Sequence, residues 1–137
     1  MGHVNTKLTL KNFGDTQRAK KGQIGEHEIR QVTVDAMVDT GATTLVINKD
    51  LFQRLGLDVM EEQEITLAND TKEMCKLTEP VGIYCNNRST VMPALVVDDA
   101  SEVLLGVIPL EGMDLMVDPV NQKLIGVHGD RVVFLVK

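Results

Sequence analysis

Along most of this 137-residue chain apolar residues recur at every second position, and a period of two commits a sequence to strands, whose successive side chains face opposite ways. Val4 to Phe13 alternates in this way, and Ile29 to Val38 forms a second long run. Thr43 to Asn48 predicts a short strand, and Ile65 to Ala68 with Thr71 to Leu77 predicts a hairpin turning at Asn69-Asp70. Gly82 to Cys85 and Val91 to Val97 flank a turn at Asn86-Asn87. Leu115 to Val117 and Lys123 to Ile125 flank another at Asp118 to Asn121. Val132 to Val136, wholly apolar, reads as a closing strand. Helical spacing is confined to Lys49 to Leu57, where Leu51, Phe52 and Leu55 share a face and Gly56 can cap the end, and to a short helix after Leu104-Leu105-Gly106 with Pro109 in its first turn. Gly14 to Gly25 reads as a polar loop, and Glu61 to Glu64 and Asp98-Asp99 read as solvated loops. About ten short strands with tight turns describe an all-β, closed or folded-over barrel. With no repeat, linker or low-complexity segment, residues 1–137 are expected to form a single domain.

Charge narrows the function classes. A formal net charge of −6 opposes general nucleic-acid binding, which needs clustered cations to neutralise phosphates. The one basic cluster, Arg18-Ala19-Lys20-Lys21, has no interleaved aromatics, and the absence of Trp leaves no base-stacking platform. No apolar run is long enough to span a bilayer, and Met1 to Lys7 lacks the pattern of a signal peptide, so a cytoplasmic location is expected. Cys75 and Cys85 have neither CxxC spacing nor a nearby His, so they read as reduced, strand-borne thiols. No metal site and no cofactor is expected. His3, His27 and His128 are isolated from one another, with no assigned role.

Chemistry concentrates where the second long strand ends. Ala36-Met37-Val38 leads from an apolar strand straight into Asp39-Thr40-Gly41. This places a carboxylate at the rim of the core, and Gly41 lets the backbone turn sharply and approach a ligand closely. The triplet alone is a weak signal, and its setting carries the weight. One carboxylate cannot serve as general base and general acid in the same hydrolytic step. Two that share a proton can, because close like charges push their titrations apart. The chain holds one such Asp, so the second must come from a second copy across a two-fold axis.

In these residues the chain resembles the retropepsin-like aspartic peptidases, the bacterial single-domain members more than the viral ones. Val38-Asp39-Thr40-Gly41-Ala42-Thr43 is similar to the family's catalytic loop. Leu67-Ala68-Asn69-Asp70-Thr71 stands where the flap hairpin stands, and Leu104-Leu105-Gly106 resembles the segment that packs beneath the catalytic loop. The resemblance, over roughly residues 29 to 126, implies an acid-protease barrel with one short helix, active as a two-fold homodimer on a peptide or protein substrate. It implies that Asp39 is the catalytic acid/base and that Thr40 cross-links the two loops. Gly41, Ala42 and Thr43 would line the substrate site, with Asn69 and Asp70 closing over an extended peptide. It also makes Lys7 to Leu10 and Val132 to Val136 candidates for a sheet between subunits.

Three departures accompany the resemblance. Thr43 and Val107 occupy the places where viral members carry an acidic residue and its Arg partner, so that ion pair is missing. The flap tip lacks the frequent Gly. Ala42 replaces the Ser of many pepsin-like relatives and cannot donate its hydroxyl hydrogen bond, which points to activity nearer neutral pH. Two function classes follow: an aspartic endopeptidase, or a catalytically weak or inactive module that keeps the fold for dimerisation or peptide binding.

Overall fold

A computed structural model of the chain describes residues 3–136. Two long strands, β1 (Val4–Asn12) and β2 (Gln31–Val38), pair antiparallel, with Val4 opposite Val38 and Lys11 opposite Gln31. Their inward residues Leu8, Leu10 and Ala36 are fully buried, as the period-two reading requires. Beyond β2 follow β3 (Leu45–Ile47), β4 (Val59–Thr66), β5 (Lys72–Thr78), β6 (Val81–Cys85), β7 (Arg88–Met92), β8 (Ala94–Val96) and β9 (Val103–Leu105). They join one sheet in the order β4-β5-β8-β3-β9-β2-β1-β6-β7, and β10 (Leu115–Asp118) pairs with β11 (Lys123–Gly126) in a separate two-stranded sheet. Two pairings are parallel, β2 with β9 and β3 with β8. Leu45, Ile47, Leu55, Ile83, Leu105 and Met113 complete a core from which water is excluded. The architecture is the expected mostly-β one.

The details depart from the sequence reading at several places, each for a physical reason. Three short α-helices are present among the described residues, where the resemblance implied one. α2 (Lys49–Arg54) and α3 (Val107–Gly112) lie at the two anticipated sites. Gly56, at φ +60, ends α2 by donating its N–H to Gln53 O, as a left-handed cap does. The third helix, α1 (Phe13–Lys20), occupies most of the expected Gly14–Gly25 loop. Asn12 caps it by accepting from Asp15 N at 3.0 Å, and the buried Asp15 carboxylate binds Arg18 and Arg30. Arg30 Nε and Nη2 reach the two Asp15 oxygens at 2.8 and 3.0 Å. This fork holds the Asp15 carboxyl far below the usual carboxylate range, so the residue is a fixed anion. Helix α1 is thus held by a contact across 15 residues rather than by an apolar stripe.

Val91 to Val97 is two strands, not one. Pro93 has no N–H for a ladder, so the chain leaves the β7 edge there and re-enters the sheet as β8 between β5 and β3. Glu61 to Glu64, expected as loop, belongs to β4, whose residues are almost all exposed. Both faces of β4 meet water, which removes the alternation that marks a half-buried strand. Lys7 to Leu10 lies inside the sheet, bonded to β2 throughout and to β6 from Thr9 onward, so most of its backbone pairing is used within the subunit. Val132 to Val136 forms no strand here: the segment is mostly exposed, and no strand among the described residues pairs with it. Cys75 on β5 and Cys85 on β6 are buried free thiols, and burial, aided by the Glu73 carboxylate, pushes the Cys75 thiol pKa up. No helix among the described residues is long and apolar enough to cross a membrane.

Candidate active site

The candidate site is built almost wholly from backbone. At the end of β2, Val38 stands in parallel register with Leu105 of β9, and Asp39 N donates to Leu105 O at 3.0 Å. The chain then turns: Ala42 N donates to Asp39 O at 3.0 Å, and Gly41 N donates to the Asp39 carboxylate oxygen Oδ1 at 2.9 Å. Asp39 is half-buried, whereas Thr40 and Gly41 are exposed at the crest of the loop. No ion pair to Asp39 exists among the described residues.

Beneath the loop runs the Leu104-Leu105-Gly106 segment. Gly106 N donates to Thr44 O at 3.0 Å, Val107 N to Ala42 O at 2.9 Å and Ile108 N to Thr43 O at 3.0 Å. A Cβ on Gly106 would stand 2.5 Å from Thr44 O and 2.6 Å from Ala42 O, so only glycine permits this approach. Thr43 and Val107, whose side chains form no ion pair, engage this segment through their backbones. Thr44 adds a side-chain contact, its hydroxyl 3.7 Å from Met92 Sδ.

Asp39, Thr40, Gly41, Ala42 and Thr43 therefore share one loop, while Asn69 and Asp70 sit apart from it, at the tip of the β4–β5 hairpin. Leu67 N bonds Thr71 O at 2.8 Å, and Asp70 N bonds Leu67 O at 2.9 Å. Asn69 Oδ1 accepts from Thr71 N at 3.1 Å and from the Thr71 hydroxyl at 2.6 Å. Asp70 takes φ +65, the left-handed conformation that a glycine tip would otherwise provide. No hydrogen bond joins the tip to the Asp39 loop among the described residues. The link between them is the sheet, running from β5 through β8 to β3, which leaves the loop.

Sequence reasoning missed a second polar cluster, at the corner between α3 and β10. Asp114, 7% exposed and at φ +56, lies 2.8 Å from His128 Nδ1 and accepts from Val133 N at 3.1 Å. The His128 hydrogen bond, with the Val133 amide and the nearby Arg88 charge, lowers its pKa. The partners stand 14 and 19 residues away, a spacing that no local motif reveals.

Comparison with known proteins agrees with the geometry. A family model described as "gag-polyprotein putative aspartyl protease" matches residues 25–111, and the chain belongs to that family, with the retropepsin-like fold. The retroviral protease-like domain of Ddi1 from Leishmania major superposes with a TM-score of 0.59 at 16% identity, over 96% of this chain and 91% of that one. A retropepsin-like aspartic protease from Rickettsia conorii superposes with a TM-score of 0.56 at 19% identity, over 85% of this chain and 77% of its own. At these identities the superpositions establish fold, and the likeness extends beyond bacterial members. No curated protein matches significantly.

Proposed function

We propose that the protein is an aspartic endopeptidase that works as a two-fold homodimer, its whole chain forming one domain and contributing Asp39 as half of the active site. The observation that carries this reading is the loop itself. A single carboxylate stands at the end of a core strand, and interlocking with Gly106 holds its backbone in place without occupying the carboxylate in an ion pair. Across the two-fold axis, one Asp39 is ionised and takes a proton from a water molecule, whose oxygen attacks the scissile carbonyl carbon. The other Asp39 gives its proton to the carbonyl oxygen. Collapse of the resulting diol breaks the C–N bond as the amine nitrogen gains a proton and the dyad recovers its starting state.

Thr40, exposed at the crest, would cross-link the two loops. Gly41, Ala42 and Thr43 would flank the peptide backbone, and the hairpin tip at Asn69 and Asp70 would close over an extended substrate. Val132 to Val136 supports the dimer: Phe134 is 66% and Leu135 75% exposed in the single chain, an apolar segment that pairing with a second copy would cover. The test is cleavage of a peptide library across pH 4–8, with Asp39→Asn and an aspartic-peptidase transition-state inhibitor as controls. Cleavage abolished by both controls is the expected result. A verified dimer that cleaves nothing would instead assign the fold to peptide binding or dimerisation.

A further inference from the structure

The apolar segment Val132 to Val136 can serve as an intersubunit strand only if it leaves its own subunit on a defined path, and the cluster around Asp114 sets that path. Asp114 accepts from Val133 N at 3.1 Å, within the apolar segment itself, and its Oδ2 also lies 2.8 Å from His128 Nδ1. Asp114 O accepts from Val127 N at 2.9 Å, so backbone and side chain of one residue bind three points between 127 and 133. Arg88, at the start of β7, closes the other side. Its Nη1 donates to Met113 O at 3.0 Å and Asp114 O at 2.9 Å, and its Nη2 donates to Gly129 O. The turn between β11 and the segment is fitted to this guanidinium. A Cβ on Gly126 would meet Gly129 O at 2.0 Å and Arg88 Nη2 at 2.3 Å, and Gly129 takes φ +74. A buried carboxylate on His128 and the Val133 amide, and a guanidinium that bridges the Met113-Asp114 corner to Gly129, are an expensive way to hold a merely loose end.

We propose that Asp114, with His128 and Arg88, is a positioning latch that directs Val132 to Val136 into the dimer interface. Asp114 acts through the segment and does not touch the reacting atoms. The proposal rests on the two-subunit reading above. Because Asp114 is in the left-handed region, alanine there would confound loss of the carboxylate with backbone strain. Glycine removes the side chain without that strain, and asparagine keeps both the conformation and an acceptor oxygen.

The experiment compares native protein, Asp114→Gly and Asp114→Asn by amide hydrogen exchange and by sedimentation across protein concentration. Peptidase kinetics are measured at concentrations that saturate the dimer. Asp114→Gly is expected to release the Val133 amide to exchange while β1 and β2 stay protected. It should weaken dimerisation by about tenfold or more and leave kcat per dimer unchanged. Asp114→Asn is expected to restore most of the dimer affinity. Unaltered Val133 exchange in Asp114→Gly overturns the latch. So does faster exchange with unaltered dimer affinity, which makes the cluster a local anchor only. A native protein that stays monomeric overturns the two-subunit reading, and the segment's role falls with it. A native dimer indifferent to Asp114→Gly overturns the latch alone.

Discussion

Two carboxylates flank the ends of β2 under opposite regimes, Asp15 on α1 and Asp39 in the loop that follows the strand. Next to its start, Arg30 grips Asp15, which is buried and shared with Arg18. At its finish, Asp39 accepts the amide of Gly41 and pairs with no cation among the described residues. Asp15 is locked as an anion and can only staple α1 to the sheet. Asp39 is held by its backbone, and its carboxylate accepts the Gly41 amide without a cation beside it among the described residues. The same strand thus separates a carboxylate committed to stability from the one to which the proposed function assigns the chemistry, and the difference lies in whether side chains or main chain do the holding.

Replacing each carboxylate should expose that division. Asp39→Asn is expected to lower kcat/KM on the order of 10⁴-fold while moving stability by less than about 0.5 kcal/mol, as for a site without an ion pair. Peptide cleavage and urea denaturation on the same preparation check both. Comparable losses of stability and activity would break the comparison. Gly106→Ala attacks the backbone support instead. Its methyl meets two carbonyl oxygens at 2.5 and 2.6 Å, and a cost of about 3 kcal/mol, with most activity lost, is expected from denaturation and kinetics.

Asp15→Asn should do the reverse of Asp39→Asn, costing about 2–3 kcal/mol, less than a fully buried pair because both arginines are half exposed, with kcat nearly intact. Its pH signature has a definite sign. The folded carboxyl lies below its ordinary value of 3.8, so its contribution is complete above that ordinary value. The contribution is lost as pH falls toward the folded value. Native stability, followed by urea midpoints, should decline below about pH 4 more steeply than that of Asp15→Asn. The smallest effect is expected at the hairpin tip: Asp70→Gly relieves a left-handed aspartate and should gain about 0.5 kcal/mol. Any kinetic change should be in KM, measurable by the same cleavage assay.

Why one end of β2 was legible in the sequence and the other was not follows from how each is held. The Asp39 loop and the Leu104-Leu105-Gly106 segment depend on residue types in short order, an apolar strand, a small turn and a glycine that nothing else can replace, so they survive translation into one dimension. Helix α1 depends on Asp15 meeting Arg30 across 15 residues, with a glycine inside it and little apolar surface, so its residues look like a loop. Most of β4 is hidden for a related reason: only its end at Ile65-Thr66 is legible as a hairpin arm, since a strand wet on both faces shows no alternation. Val132 to Val136 erred the other way. Its apolar run has the composition of a strand, but a strand needs a neighbour, and among the described residues of one chain none pairs with it. The hairpin at Asn69-Asp70 is legible from turn chemistry, and the Asn69 side-chain bonds to Thr71 are that chemistry. The Asp114 latch left no trace, because its partners are ordinary residues made adjacent only by the fold.

Mixing subunits tests most directly whether Asp39 is half a site. At a fixed amount of native protein, added Asp39→Asn chains should draw native chains into heterodimers. Peptide cleavage should then fall to about one tenth at tenfold excess, because random pairing leaves native homodimers that rare. Cleavage that stays constant as Asp39→Asn is added, under conditions where exchange of subunits is demonstrated, would contradict the shared site.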